Sequence, residues 1–156
     1  MDIFNPSLCL TKELKSSWAA NLVSAKSDDK IPIEVAQGVP RLRLEHNPES
    51  SEDWFACAIP ISPDWEPVDM SSASTLKFTI YMDEDCGGLI RLEDANGVES
   101  ADFELENAAA IGGEEHNIAV SMEAFKIDEL DFTKIKTLKV IGYKGAAFYL
   151  SEIVAD

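Results

Sequence analysis

The chain is expected to be all-β, an antiparallel β-sandwich, and three observations predict it. From Pro40 onward apolar and polar residues alternate in short runs, the period of half-buried strands. Clusters rich in Gly, Asn, Asp and Ser, "NPESSED", "DEDCGG", "DANG" and "IGGEE", separate those runs and supply turn chemistry. Between the runs there is no long helical period of the kind an α/β enzyme needs.

The stretch "TKELKSSWAANLVSAKS" is open to two readings: a short helix capped by Thr11, with Trp18 and Leu22 on one face, or strands with a loop between. In "PRLRLEH", Leu42 and Leu44 alternate with Arg41, Arg43 and Glu45. "WFACAIPI", "STLKFTIYM", "GGLIRLED", "ADFELE", "EHNIAVSM", "IKTLKVIGY" and "AAFYLSEIV" follow as further strands. Within them Leu76, Phe78, Ile80 and Met82 share one face, opposite Lys77, Thr79 and Tyr81. Ile90 and Leu92 oppose Leu89, Arg91 and Glu93, while Ile118 and Val120 oppose Asn117 and Ala119. The expected organisation is one β-sandwich domain over residues 1–156, least regular over 1–38.

Composition narrows the function. With 156 residues the chain can bury roughly two-thirds of its unfolded surface. A net charge of -16 repels polyanions, and no segment supplies a basic stripe, which argues against nucleic acid and anionic membrane surfaces. Neutral ligands and divalent cations stay open. Cys9, Cys57 and Cys86 lack the CxxC pairing of redox or zinc sites. Residues 1–20 carry neither a basic n-region nor an apolar h-region. The chain is expected to be secreted or cell-surface if cut from a larger enzyme, and cytoplasmic if complete.

Taken together, the stretches "LRLEHNPESSEDWFACAI", "STLKFTIYM", "GLIRLEDANG", "HNIAVSMEAFK" and "LDFTKIKTLKVIGYKGAAFYLSEI" resemble the galactose-binding-like jelly-roll family of carbohydrate-binding modules, over residues 39–154. The resemblance implies a jelly roll that binds a polysaccharide or oligosaccharide without catalysis, beside a glycoside hydrolase domain or assembly. It requires no cofactor. Many members hold a structural calcium through Asp-Asp before the final Ile; this chain has Ser151 and Glu152 there, so calcium stays open with Glu152 as its candidate donor. His116 stands where an aromatic is frequent.

A sugar site needs a flat aromatic platform and fixed polar groups. Tyr81 and Arg91 are the leading pair, provided that neighbouring strands put them on one solvent-facing sheet. Trp54 is a platform on the exposed phase or a plug in the core. Trp65, in the loop "SPDWEPVD", is a recognition tip or a cover over the end of the core. Arg41, Arg43 and Lys77 have outward phase and either meet an acidic ligand or pair with the abundant carboxylates. Asn117 and Tyr143 complete the candidates, Tyr143 at the rim of the same face. Asp94, Asn96 and Gly97 read as a tight hairpin, and Asp83, Glu84 and Asp85 as a charged turn.

No catalytic residue is expected. His46 and His116 are the only histidines, and HExxH, GxSxG and glycine-rich phosphate loops are absent. The alternatives are a protein-interaction or structural sandwich and, less favoured, a small glycan-active enzyme.

Overall fold

Strand alternation leaves each apolar stripe needing a partner, and two sheets supply it to each other. The computed structural model describes residues 2–4, 13–15, 18–22, 30–36, 39–62, 65–82, 87–105, 113–143 and 147–156. Among these the strands are β1 (Asp2–Phe4), β2 (Glu13–Lys15), β3 (Trp18–Ala20), β4 (Lys30–Ala36), β5 (Val39–Glu45), β6 (Trp54–Pro60), β7 (Thr75–Met82), β8 (Gly88–Asp94), β9 (Phe103–Glu104), β10 (Glu115–Ser121), β11 (Ile135–Tyr143) and β12 (Ala147–Ala155). Sheet one has the order β10-β7-β12-β5-β4-β2, with β1 also paired to β12; sheet two has the order β3-β6-β11-β8-β9. The pairings are antiparallel.

Of the two readings of the N-terminal stretch, the described residues take the strand one, at 13–15 and 18–20; Thr11 lies outside the described residues. Successive strands often sit on opposite sheets: β7 is in sheet one and β8 in sheet two, and β11 and β12 divide the same way. The last two strands therefore close the sandwich from both sides without pairing with each other.

The inward phase is the expected one. Leu42, Leu44, Leu76, Phe78, Ile80, Ile118, Val120, Phe148, Leu150 and Ile153 of sheet one meet Phe55, Cys57, Ile59, Ile90, Leu92, Leu138 and Val140 of sheet two in one buried cluster. Phe55 and Phe148 join the sheets, with ring centroids 5.6 Å apart at 57°. Their bulk explains two strand glycines. A Cβ on Gly142 would lie 2.2 Å from the Phe55 ring, and one on Gly88 would lie 2.6 Å from the Ile141 carbonyl oxygen.

The ends of the core are closed by short 3-10 turns. Ser121 accepts from the Glu123 N–H and starts Met122–Phe125, which buries Met122 and Phe125; Asp131 accepts from the Thr133 N–H and starts Phe132–Lys134. The expected hairpin at Asp94 is present. Its buried carboxylate accepts from the N–H groups of Asn96 at 2.8 Å, Val98 at 3.0 Å and, from the distant turn, Asp131 at 3.0 Å. Burial pushes the Asp94 pKa up, but these donors outweigh it and hold the carboxyl below its ordinary range. Gly97 takes the left-handed position of the turn, with φ of +82°.

Candidate functional site

Strand alternation that sends Phe55, Cys57 and Ile59 inward turns Trp54, Ala56, Ala58 and Pro60 to the outer side of β6. On β11 the outward set is Thr137, Lys139, Ile141 and Tyr143. Register then builds the outer face of sheet two row by row. Tyr143 stands opposite Trp54, Ile141 opposite Ala56 and Leu89, Lys139 opposite Ala58 and Arg91, and Thr137 opposite Pro60 and Glu93. Directly opposed side chains have Cβ atoms roughly 5 Å apart, so Trp54 and Tyr143 form one aromatic patch. Trp54 is half-buried and Tyr143 is 39% exposed. Ala56 and Ala58, on the same side of β6, are buried, and β3 pairs alongside them, so the accessible part of this strand is its Trp54 end.

At the other end of this face the charges are tied together. Arg91 Nη1 donates to Glu99 Oε2 at 2.6 Å and Nε to Asp102 Oδ1 at 2.9 Å, while Lys139 donates to Glu93 at 2.7 Å and also to Glu99. The Lys139 hydrogen bond chiefly, with burial opposing and Arg91 assisting, holds Glu99 below the usual carboxylate range. Partial burial pulls Arg91 and Lys139 down, yet their acidic partners outweigh it and raise both. Arg91 is thus a half-buried member of an ion-pair network.

Past Pro60 the chain leaves the sheet and returns where Val68 bridges Ile135. Trp65 lies on this excursion, 38% exposed, with φ of +65° and its N–H bonded to the Ser62 carbonyl at 2.9 Å. Trp54 and Pro60 mark the two ends of β6, about 20 Å apart at the rise of a strand.

The expected Tyr81–Arg91 pair is not formed. Tyr81 is on β7 of sheet one and Arg91 on β8 of sheet two, on opposite outer faces of the molecule. Tyr143 accordingly shares its face with Arg91 and Trp54, and not with Tyr81. On sheet one, Arg43, Tyr149, Tyr81 and Glu115 stand in one cross-strand row. The Tyr81 and Tyr149 rings are 6.0 Å apart at 57°. Arg41 has outward phase but is fully buried: its guanidinium lies 5.9 Å from the Tyr81 ring centroid and pairs with Glu115. Arg43 pairs with Glu45 and Lys77 with Asp156, which favours carboxylate pairing for these basic groups. Asn117 accepts from the Thr79 hydroxyl at 2.8 Å. Tyr149 was not singled out from the sequence, although its alternation with Phe148 and Leu150 carries that signal.

Glu152 is exposed and Ser151 buried. Among the described residues no three His, Cys, Asp or Glu side chains gather to hold a metal. Asp83, Glu84 and Asp85 lie outside the described residues.

No protein-family model and no curated protein matches the chain. Solved structures do. A family 30 carbohydrate-binding module from a cellulosomal cellulase of Clostridium thermocellum is similar with a TM-score of 0.74 and 16% identity, over 99% of this chain and 96% of that one. The fold is that of the jelly-roll carbohydrate-binding modules. A second family 30 module structure gives 0.76 and 18%, over 100% and 98% of the two chains. A beta-1,2-glucanase from Parabacteroides distasonis gives 0.62 and 17%, over 90% of this chain and 22% of that one. The likeness to the modules spans nearly the whole chain, so β1 to β4 are part of the shared architecture and not an appendage to residues 39–154.

Proposed function

We propose that the protein is a non-catalytic carbohydrate-binding module whose sheet-two face holds a neutral, β-linked polysaccharide. The observation that carries this reading is the Trp54–Tyr143 pair, opposed in register on an outer face, with Tyr143 exposed and Trp54 half-buried. Sugar rings offer apolar C–H faces edged by hydroxyls; the aromatic patch suits the first and the Arg91–Lys139 network the second. The names of the similar structures, a cellulase module and a beta-1,2-glucanase, support a β-linked glucan and a place beside a glycoside hydrolase domain or assembly.

A non-catalytic role fits the acids on this face. Glycoside hydrolysis uses a carboxylic acid kept protonated by a raised pKa. Glu99 is shifted the opposite way, and Glu93 and Asp102 are engaged by Lys139 and Arg91.

Affinity electrophoresis through gels containing mixed-linkage β-glucan, soluble cellulose, 1,2-β-glucan or agarose tests the proposal. Wild type is expected to be retarded by at least one, and Trp54→Ala or Tyr143→Ala to weaken binding at least about tenfold, roughly 1.4 kcal/mol, with melting temperature as the folding control. Equal retardation of both variants and wild type moves the site off sheet two; no retardation in any gel overturns the reading.

A further inference from the structure

The outer face of sheet one has a feature that the sheet-two site does not use. Leu150 pairs with Ile80 and Ile153 with Phe78, so β12 carries one residue more than β7 across this step: a β-bulge at Ser151 and Glu152. Bulges re-aim side chains, and here Glu152 lines an open groove with Lys77, Thr79, Asn117, Ala119 and Val154. The groove holds about 330 Å³, near the lower end of the roughly 300–1,000 Å³ of small-molecule sites. Tyr81, two residues beyond Thr79 on the same face of β7, stacks at a tilt with Tyr149 but does not line the groove.

Its chemistry selects a ligand class. Ala119 and Val154 give apolar floor, and the Thr79 hydroxyl occupies Asn117 Oδ1, leaving the amide's two N–H donors for another acceptor. Glu152 adds an acceptor on the other side. The nearby cations are balanced, Lys77 by Asp156, Arg41 by Glu115 and Arg43 by Glu45, so Glu152 leaves the groove negative and hostile to uronates and sulfates.

We infer that this groove is a second glycan site, taking one or two rings of a neutral sugar chain on the sheet opposite the first. Only the ligand class rests on the sugar-binding reading. Because the two faces point away from each other, two occupied sites hold two separate chains, and the module cross-links them.

The test titrates ¹⁵N-labelled Trp54→Ala/Tyr143→Ala protein with cellohexaose, a 1,2-β-glucan hexamer and neoagarohexaose, and with a galacturonic acid hexamer. The expected result is a saturable shift of the Thr79, Asn117, Ala119 and Val154 amides with at least one neutral oligomer and none with the acidic one. Adding Asn117→Ala and Glu152→Gln, both at exposed positions, should weaken it at least tenfold. Wild-type shifts confined to Trp54, Ile141 and Tyr143 overturn the second site and leave the first standing. No saturable shift on either sheet with any neutral oligomer removes both.

Discussion

Trp65 occupies the left-handed backbone region, where a bulky L-residue is strained by roughly 1–2 kcal/mol relative to glycine. That strain holds an exposed indole out on its excursion from β6. Replacing Trp65 with Gly and, separately, with Ala removes the ring in both cases but relieves the backbone only in the first. The Gly variant should be about 1 kcal/mol more stable than the Ala variant in urea melts, and both should bind glycan more weakly than wild type. Asp94 is the opposite case, a side chain whose whole role is internal. Removing its charge in Asp94→Asn should cost about 2–3 kcal/mol at neutral pH, since three N–H donors lose a carboxylate. Because its folded pKa is depressed, the stability it contributes is present above the unfolded value of about 4 and is lost as pH falls through the folded one. Wild-type melting temperature should therefore drop more steeply below about pH 4 than that of Asp94→Asn.

Among the elements, β11 shows how tightly neighbouring strands of sheet two fit. Gly142 faces the Phe55 ring with no space for a methyl group, so Gly142→Ala should cost about 3 kcal/mol, and the cost should shrink in a Phe55→Leu background. A double-mutant cycle by chemical denaturation reads that coupling. Strands such as β5, β7, β10 and β11 were legible because their apolar residues recur at every second position, and β6 as a short apolar run between turn signals. β4 was missed even though Ile31, Ile33 and Val35 alternate, since Pro32 interrupts a run that would otherwise read as a strand. β1 and β2 are three residues each, too short to show a period. For the site, the outward phase of Trp54, Tyr81, Arg91, Asn117 and Tyr143 was readable, but their grouping was not. Alternation fixes which side of a strand a residue takes, while sheet membership depends on pairing between distant segments: β7 bonds to β10 and β12, not to β8, its neighbour in sequence.

For the whole molecule, charge and binding separate. The net charge of -16 sets a long-range field that turns away polyanions, whereas stacking on Trp54 and Tyr143 involves no ion exchange with a neutral glycan. The affinity for such a glycan should change less than about twofold between low and roughly 0.5 M salt, measured by calorimetry, in contrast to the steep salt dependence of polyanion binding. The same separation runs through the architecture. Inward residues of β6 and β11 fix the core, and outward residues of the same strands form the face proposed for recognition, one position apart along the chain. Positions 54, 139, 141 and 143 can change identity while 55, 57, 138 and 140 keep the sandwich closed. If that face binds sugar as proposed, selection can retune the preferred sugar without first solving the folding problem again.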